Sequence, residues 1–515
     1  MIFTFGIINC GRDLFGTGFE RYPGDLADTR FNNVILEHDY QWLIGNQENL
    51  WDLPFFYPQK NMLAGSDNHL GSFWLYVPFR LIGLNETRSF QWWVFCLFAL
   101  NFFVFYNVAR KLGLNVAASS AGAFLFTFSM PVLGSVHHIQ TLCKFTFPLV
   151  IYFFYKILFV KKELNILYFT LSLIHVFYCS LYYGMFTVLI LAVFFFASLF
   201  FKPSVKSFFT KKNIYCVLAS IAALALFMIP LLKPYLKLEH FAHHFTYDSI
   251  EPTVPHPYSY LMPHPGTFFY AFMFEATKQH TEVYWMHSFF IGFISLALVF
   301  ASAYFLWKYR KQNFTNLFFI LCGITLSGAL LLTSAAGKYS IYRYFMEIKS
   351  FSHLKAMNRI ILLELFFMGM LVAWMINRVE LTTVKRKWIT SVLVFGVCFE
   401  HFMVAGTLKF DTIEHAQHNN DYVNKAIAGC KTKPEAFVVL KPYHISKENF
   451  NEINAQIDGM MSALQNRIPT LNGYSTVVDP RHFNVHFNDR PGVNAWLFSQ
   501  GIDTPELDKK ILIIR

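Results

Sequence analysis

The residues best suited to chemistry lie in one polar stretch near the start of the chain, residues 22–42 (YPGDLADTRFNNVILEHDYQW). Asp25 and Asp28 lie three residues apart, so a helix would place both carboxylates on one side. A carboxylate at such a place accepts the proton of an attacking hydroxyl, and burial or a nearby like charge would raise its pKa toward a useful value. The alternative is that one Asp caps the helix and the other faces solvent.

A helix over residues 25–42 would position these carboxylates, because Gly24 and Asp25 are acceptable start residues. Apolar residues and one His recur on one face and predict an amphipathic helix at a membrane interface. Those residues are Phe31, Val34, Ile35, His38 and Trp42. Arg30 and His38 are further site candidates. A second, aromatic-rich helix is predicted over residues 69–82.

Other candidate site residues lie further along the chain. Asp67 and His69 flank Asn68 after a Gly-Ser turn, where an Asx turn and helix cap is the other interpretation. His138 and Lys144 crowd the outer end of a predicted helix pair. Lys144 would neutralise a lipid phosphate, or else extend its amine to the interface. Glu282 precedes an apolar run, and the alternative interpretation is that it is an ordinary polar loop residue.

The composition is that of a polytopic membrane protein. Of the 515 residues, 55% are hydrophobic and only 15% are charged, whereas soluble domains carry about 25% charged residues. The net charge of +11 does not require nucleic acid, because cytoplasmic loops carry excess Lys and Arg. The eight cysteines form no CxxC pair, and the His spacings match no zinc motif, so we expect neither a disulfide framework nor a metal framework.

About eleven transmembrane helices are predicted, since a span needs about 20 apolar residues. Residues 1–8 (MIFTFGII) are too short to span, so either the first helix is cut short at its N-terminus or the gene start is misplaced. The other runs cover residues 90–109, 117–133, 145–160, 164–179, 183–201, 214–232, 289–307, 317–333, 360–375 and 388–408.

The charges predict the orientation. Basic residues exceed acids by roughly seven to one in the even-numbered connections, which the positive-inside rule places in the cytoplasm. A first loop (10–89), a second long loop (233–288) and the tail (409–515) are then external, and residues 1–408 form the transmembrane domain. This asymmetry is typical of an enzyme that works on the outer face.

Four basic residues lie on the predicted outer side, where the positive-inside rule does not predict an excess of them, so a function for their charge is expected. They are Arg343, Lys349, Lys355 and Arg359. A phosphate or pyrophosphate at the lipid headgroup level would supply one, and ordinary anionic headgroups are the alternative. Glu364 and Glu400 lie within apolar runs, where carboxylates are either functional or paired with a neighbouring helix.

The tail differs from the rest of the chain. Residues 436–440 (AFVVL) and 511–514 (ILII) resemble strands, and residues 447–465 resemble a helix. We therefore predict a small external α/β domain. The expected fold class is an all-α polytopic membrane protein with interfacial helices in its first external loop and this C-terminal appendage.

The layout resembles the GT-C superfamily of membrane glycosyltransferases. The stretches GDLADTRFNNVILEHDYQWL and LWDLPFFYPQKNMLAGSDNHLGS resemble uncharacterised bacterial multi-pass proteins that are distant relatives of protein O-mannosyltransferases and lipid A aminoarabinose transferases. TEVYWMHSFFIGF resembles the Glu-then-Gly approach to a late helix, and IKSFSHLKAMNRI the basic loop F-x-x-L-R-x-x-x-R. PTLNGYSTVVDP resembles the tail segment NGYSG-x-x-P, with Thr476 in place of its second Gly.

The resemblance implies sugar transfer from a polyprenyl-phosphate-linked donor to a glycan, lipid or protein acceptor, on the outer face of a bacterial cytoplasmic membrane. The first-loop catalytic Asp falls on Asp25, with Asp28 close behind. The basic loop falls on Lys355 and Arg359, which with Lys144 would hold the lipid phosphate. No cofactor is expected, and a divalent metal is optional.

Two other functions remain open on the sequence. A transporter or flippase of a lipid-linked intermediate predicts polar residues deep in several spans and similar halves, and only Glu364 and Glu400 are clear cases of the first. A non-catalytic scaffold would tolerate loss of the Asp25 carboxylate.

Overall fold

The computed structural model describes residues 1–160, 163–201, 211–241, 243–308, 316–336, 339–379, 384–406, 408, 410–440, 452–475, 477, 479, 481–482, 490–502 and 510–514. The predicted basic connections at 161–162, 202–210 and 309–315 lie outside the described residues, as does Glu380.

Helices dominate the structure. The helices of the apolar runs are α1 (Ile2–Leu14), α4 (Glu86–Lys111), α5 (Val116–Phe128), α6 (Met130–Gly134), α7 (Phe147–Phe159), α8 (Leu164–Cys179), α9 (Leu181–Leu199), α10 (Lys211–Leu238), α13 (Phe293–Lys308), α14 (Leu317–Thr333), α16 (Ile361–Val379) and α17 (Val384–Phe399). The others are α2 (Asp28–Leu43), α3 (Val77–Leu81), α11 (Tyr247–Ile250), α12 (Ala271–Thr277), α15 (Tyr342–Phe345), α18 (Ile413–Ala428), α19 (Glu452–Asn466) and α20 (Arg490–Ser499).

The predicted transmembrane fold is confirmed. In the described part of the chain, six helical segments are long and apolar enough to cross a membrane, and four shorter helices are also apolar. These ten match the ten predicted runs, and α1 covers the apolar start of the chain. Apolar runs fold this way in lipid because only a helix satisfies every backbone polar group within its own segment.

Helix α16 is the centre of the bundle. It packs on α5, α13, α14 and α17, and nearly all of its residues are buried. Gly369 on α16 and Gly122 on α5 lie so close that a Cβ added at either would meet the other's carbonyl oxygen. Glycines at a crossing let two membrane helices approach closely. At the periphery, α10 leaves most of its apolar side chains exposed.

Contacts along α16 define the two ends of the bundle. Near its C-terminus, Asn377 accepts a hydrogen bond from the backbone N–H of Asn115 (2.9 Å), in the short turn before α5. Near its N-terminus, Glu364 accepts one from the Tyr260 hydroxyl (2.8 Å), in the long connection 233–288. The long connection and this short turn therefore lie at opposite ends, and Glu364 has a partner from a loop.

The second intramembrane carboxylate, Glu400, caps helix α13. It accepts hydrogen bonds from the backbone N–H groups of Ile294 (2.9 Å) and Ser295 (2.9 Å) and from the Tyr270 hydroxyl (3.0 Å). Gly292 has φ +86°, and a side chain there would collide with Glu400. A carboxylate is favourable at a helix N-terminus, so Glu400 and this Gly have a structural role.

The first loop differs from the prediction in two places. α2 begins at Asp28, and every residue from Thr29 to Asp39 except Phe31 is buried. The helix is thus enclosed by protein, and its apolar face is covered by the tail. The helix predicted over 69–82 is wrong, since the structure has a 3₁₀ helix (Phe73–Leu75) and α3. One helix cannot cover 69–82 because His69 has φ +53°, outside the helical region, and Pro78 in the first turn of α3 has no N–H to bond to the preceding turn.

The tail has the predicted strands. β3 (Ala436–Val439) pairs in parallel with β4 (Ile511–Ile514). The described part of the predicted tail helix is α19, and the rest of that prediction, up to residue 451, lies outside the described residues. A small hairpin of β1 (Ala335–Ala336) and β2 (Tyr339–Ser340) lies in the connection before α16.

The first loop and the tail share one hydrophobic core. Val34 and Ile35 of α2 and Phe55 of the following loop cluster with Val423 of α18 and Met460 of α19. The apolar face of α2 is therefore buried against the tail. This packing holds the start of α2 at the end of the bundle that carries the long connection.

Candidate active site at the start of α2

Asp25 lies in the turn before α2 and caps it. Its Oδ1 accepts the backbone N–H groups of Ala27 (3.2 Å) and Thr29 (2.8 Å), and its Oδ2 lies 3.8 Å from Nδ1 of His137. An Asp that accepts nearby backbone N–H groups favours a turn over a helix. The prediction that one helix side carries both Asp25 and Asp28 is therefore wrong.

Asp28 is the first residue of α2 and the centre of a polar cluster. The Tyr474 hydroxyl donates a hydrogen bond to its Oδ1, and Nδ1 of His138 lies 3.2 Å from its Oδ2. A third of the Asp28 side chain is exposed (33%). The carboxylate therefore has two fixed neighbours and one side open to an incoming molecule.

The neighbours of Asp28 change its acidity. Burial favours the neutral acid, but the polar contacts with His138 and Tyr474 and the positive charge of Arg359 outweigh it. The pKa of the Asp28 carboxyl therefore lies below its ordinary value. Asp28 is ionised at neutral pH.

The connection between α6 and α7 brings histidines to both carboxylates. A 3₁₀ helix, Val136–Leu142, carries His137 and His138, and His138 departs from helical geometry. The Thr29 hydroxyl donates to the carbonyl of His137 (3.0 Å) and ties this connection to α2. Two Asp–His pairs thus lie side by side, Asp25 with His137 and Asp28 with His138.

A second layer of hydrogen bonds lies below Asp28. Asn32 Nδ2 donates to the Asp28 carbonyl (2.6 Å) and to Gln140 Oε1 (3.1 Å). The Nε2 of His69 bonds to Asn32 Oδ1 (2.7 Å), and His69 is fully buried. The predicted site residue His69 therefore supports the start of α2 and lies away from the open side of the cluster.

The tail segment NGYST reaches the site because three of its described residues, Asn472, Gly473 and Ser475, are anchored. Asn472 accepts from the backbone N–H of Val439 (2.7 Å) and donates to its carbonyl (3.0 Å), which holds the segment beside β3. Gly473 packs so closely on Phe56 that a side chain would collide with the ring. The Ser475 hydroxyl donates to the Gly65 carbonyl (2.7 Å). These anchors position the intervening Tyr474 over Asp28.

Arg359 supplies positive charge to this cluster. Its charge lowers the pKa of Asp28, and it opposes the effect of burial, which raises the pKa of Asp67. Its guanidinium carbon lies 5.0 Å from the centre of the Tyr182 ring. Its Nε is buried with no hydrogen-bond partner among the described residues. A guanidinium with a spare donor is suited to a phosphate or carboxylate.

The predicted lysines are placed differently from Arg359. Lys144 is buried in the bundle, where its ammonium donates to the carbonyls of Phe126 (2.8 Å) and Leu362 (3.3 Å). Lys355 is exposed, and its backbone N–H donates to the Tyr182 hydroxyl (3.0 Å). The structure brings Lys355 to the neighbourhood of Arg359 and keeps Lys144 inside the bundle.

The remaining candidates lie outside the cluster. Arg30 is buried and forms an ion pair with Asp458 of α19. His38 is buried, with its Nε2 2.8 Å from the Leu50 carbonyl oxygen. Glu282 is exposed in the connection before α13. Arg30 and His38 hold the first loop in place, and we see no contact of Glu282 with the cluster in the described chain.

Most carboxylate oxygens of this cluster already contact other protein groups. Both Asp28 oxygens contact Tyr474 or His138, and Asp25 Oδ1 caps α2. Within the described residues, no three His, Cys, Asp or Glu side chains gather as metal ligands would. The dependence on a divalent metal stays a prediction.

Sequence reasoning missed two residues that complete the site. Tyr474 is 446 residues from Asp28, and the only signal for it was its place in the NGYST segment. Tyr182 lies under Arg359 and fixes the backbone of Lys355, yet in the sequence it is one aromatic residue just before the predicted run 183–201.

Comparisons with known proteins agree with this fold. No family model matches the sequence, and no curated protein matches it. Among solved structures, the Archaeoglobus fulgidus oligosaccharyltransferase in complex with Zn and sulfate superimposes with a TM-score of 0.51 at 13% identity, over 92% of this chain and 62% of that one. The apo form gives 0.40 at 10% identity, over 92% and 64%. This chain thus spans less than two thirds of the enzyme it matches.

The class of protein follows from the fold. The chain is a multi-pass membrane protein with the GT-C-like fold of that oligosaccharyltransferase. At this low identity the likeness extends to the fold alone.

Proposed function

We propose that this protein is a membrane glycosyltransferase that moves a sugar from a polyprenyl-phosphate-linked donor to a glycan, lipid or protein acceptor. One observation carries the proposal. A carboxylate, Asp28, meets a histidine, a tyrosine and the charge of an arginine at one end of a bundle with a GT-C-like fold. Such a cluster supplies a base and an anion-binding group side by side.

The Asp28–His138 pair is the proposed general base. Glycosyl transfer to a hydroxyl requires a group that accepts the acceptor's proton as the new bond forms. Asp28 is ionised and partly open to solvent, and His138 is also part-exposed (37%). Asp25 and His137 form the neighbouring pair, but one oxygen of Asp25 is occupied as a helix cap. Asp25 is therefore the second candidate for the base.

Arg359 is the proposed phosphate-binding group. As the glycosidic bond breaks, negative charge grows on the phosphate that leaves with the lipid, and a fixed cation stabilises that charge. Arg359 lies at the start of the apolar span Met357–Val379, and a lipid phosphate lies at the end of such a span. The Nε of Arg359 has no hydrogen-bond partner among the described residues. Lys355 lies four residues earlier in the connection before the span and adds an exposed positive charge, whereas Lys144 is enclosed and we assign it no part.

The proposed location is the outer face of a bacterial cytoplasmic membrane. The long connection lies at the site end of α16, and the described basic residues Lys308 and Arg378 end α13 and α16. Positive charge at the end away from the site favours an external site. The partners are then the lipid-linked donor, its acceptor and the bilayer, with no nucleic acid and no cofactor.

The decisive experiment measures lipid-linked sugar consumption by the full chain in nanodiscs, with a panel of polyprenyl-phosphate sugars. Wild type is compared with Asp28→Asn, Asp25→Asn, Arg359→Gln and Lys355→Gln. We expect Asp28→Asn to lose about 10²-fold or more in turnover, the usual contribution of a general base. Glu282→Gln, at an exposed loop position, should retain activity.

The other outcomes separate the rival functions. Specific binding of lipid-linked sugar without turnover in any form would favour a flippase or a scaffold. Equal turnover in wild type, Asp25→Asn and Asp28→Asn would contradict the assignment of the base. Absence of both binding and turnover across the donor panel would contradict the donor class.

A further inference from the structure

An exposed aromatic patch lies in the long connection, beside the ends of α13 and α17. Phe268, Phe269 and Phe272 form this patch, and Phe272 is 68% exposed. The connection lies outside the predicted membrane-spanning runs, where a cluster of exposed rings would contact water. Proteins in water rarely expose contiguous apolar patches, and such a patch marks the binding surface of an apolar partner. The patch therefore requires a partner that covers it.

The fold holds this patch at one level of the bundle. The backbone N–H of Phe268 donates to the carbonyl of Phe402 (3.0 Å), and the N–H of Val404 donates to the carbonyl of Gly266 (2.9 Å). Residues 402–404 follow α17 closely, so this pairing fixes the patch beside the end of that helix. Non-helical backbone is tolerated at membrane depth only where protein groups satisfy it, and the pairing supplies such partners here.

The patch continues a lipid-facing surface of the bundle. Exposed apolar side chains recur along α17 three or four residues apart, which places them on one face. They are Trp388, Val392, Phe395 and Phe399. An exposed apolar face of a membrane helix contacts lipid tails, which are as apolar as the side chains themselves. The ring centroid of Phe269 lies 5.0 Å from that of Phe399, so this surface passes from α17 to the patch without a break.

The two helices beside the patch are short for membrane spans. The described parts of α13 and α17 have 16 residues each, which corresponds to about 24 Å of helix. The hydrocarbon core of a bilayer is about 30 Å thick, so about 6 Å of it lies beyond each helix. Lys308 ends α13 and Lys385 lies in the first turn of α17, and lysines at helix ends extend to the headgroups. The shortfall therefore lies at the patch end.

The patch supplies the missing apolar surface at that end. The ring centroid of Tyr270, within the same segment, lies 5.6 Å from that of Phe293, the first residue of α13. Charge returns three residues after Phe272, where Glu275 forms an exposed ion pair with Lys278. The segment thus changes from apolar to charged within one turn of α12, as a segment at the membrane interface does.

We propose that residues 268–272 insert into the bilayer at the site end of the bundle and contact the acyl chains just below the headgroups. They complete the apolar belt around α13 and α17. The partner is lipid rather than a second copy of the chain, because the patch is continuous with the exposed apolar face of α17. This inference goes beyond the proposed glycosyltransferase activity and does not depend on it.

Spin labelling of the full chain in nanodiscs measures the depth of the patch. Phe272→Cys carries a nitroxide, and power-saturation EPR compares its collisions with oxygen, which concentrates among acyl chains, and with a nickel chelate that stays in water. Val392→Cys, on the exposed face of α17, is the lipid control, and Gln279→Cys, exposed after α12, is the water control. The part-exposed native thiols are replaced by Ser in all three variants; they are Cys96, Cys216 and Cys430.

The collision rates decide the proposal. We expect the label at Phe272→Cys to collide more often with oxygen than with the nickel chelate, as the label at Val392→Cys does. A label that meets the chelate as often as the label at Gln279→Cys lies in water. A label shielded from both reagents is covered by protein. Either of these two results overturns the proposal.

A pair of substitutions tests the same contact without a label. Phe272→Asp places a carboxylate in the apolar region and should lower the melting temperature in nanodiscs, because a charge among acyl chains is costly. Phe272→Leu keeps an apolar side chain and should melt with wild type. Equal melting temperatures for Phe272→Asp and Phe272→Leu would overturn the proposal.

Discussion

At the scale of single residues, Asp25 and Asp28 differ in what their oxygens do. Asp25 uses one oxygen to accept two backbone N–H groups, so it terminates the turn before α2. The backbone of Asp28 is part of α2, and its two carboxylate oxygens contact side chains from two other parts of the chain, Tyr474 and His138. A structural and a chemical role are thus divided between two acids that the sequence presents as equivalent.

The capping role of Asp25 predicts a stability change that is separate from activity. Asp25→Ala removes the acceptor and should lower the free energy of unfolding by about 1 kcal/mol, the usual loss for an N-cap. Asp25→Asn keeps an acceptor oxygen and should stay near wild type. Thermal unfolding of both variants in the same detergent measures the difference. Equal melting temperatures for the two variants would show that the cap contributes nothing.

The bond from Tyr474 to Asp28 predicts a change in pH dependence. This bond helps to hold the pKa of Asp28 below its ordinary value, so Tyr474→Phe should raise that pKa. The base is active when ionised, and the acid side of the pH profile of turnover should therefore move to higher pH. The exposed Tyr344 gives the control variant, Tyr344→Phe. An unchanged acid limb in Tyr474→Phe would separate Asp28 from the proton transfer.

At the scale of elements, α2 is held by the tail more than by the membrane helices. Its apolar residues pack in one core with α18 and α19. Arg30 of α2 forms an ion pair with Asp458 of α19 across this contact. The 3₁₀ helix with His137 and His138 then packs against the opposite side of α2. The site therefore exists only where three segments distant in sequence meet.

The ion pair between Arg30 and Asp458 predicts how strongly the tail is attached. Both side chains are buried (3% and 9% exposed), so Arg30→Met leaves a buried carboxylate alone and should destabilise the protein by about 3–5 kcal/mol. The tail should then become more sensitive to protease. The double variant Arg30→Met/Asp458→Leu should recover much of the loss.

An exposed pair on the same tail provides the comparison. Lys510 and Glu435 are about half exposed, so Lys510→Met should cost at most about 1 kcal/mol. If Arg30→Met and Lys510→Met were equally stable, the buried pair would have no special part in holding the tail.

The sequence predicted the parts of the fold that depend on local pattern. Ten apolar runs and two tail strands were found because hydrophobic length and composition determine them directly. The position of α2 was not found, since the spacing of Val34 and Ile35 shows that a face is buried without showing what covers it. Tyr474 was out of reach for the same reason: its contact with Asp28 is made by the fold of the whole tail.

At the scale of the whole molecule, the two ends of the helix bundle differ. One end carries the first loop and the tail, and the other carries the short turn after α4. Arg359 and Arg378 lie near opposite ends of the same span, Met357–Val379. The first loop and the tail pack together at the Arg359 end, as the influence of Arg359 on Asp28 shows. The positive-inside rule then predicts that the tail is external and the turn after α4 is cytoplasmic.

Chemical labelling in sealed, right-side-out cells tests that orientation. Glu414 on α18 and Lys111 at the end of α4 are both exposed, so Glu414→Cys and Lys111→Cys should fold normally. A membrane-impermeant maleimide should label Glu414→Cys in intact cells and Lys111→Cys only after permeabilisation. Cys430, the part-exposed thiol of the tail, is replaced by Ser in both. Labelling of both sites in intact cells would contradict the spanning of α4, and the reverse pattern would place the Asp28 cluster inside the cell, where the proposed donor would have to face the cytoplasm.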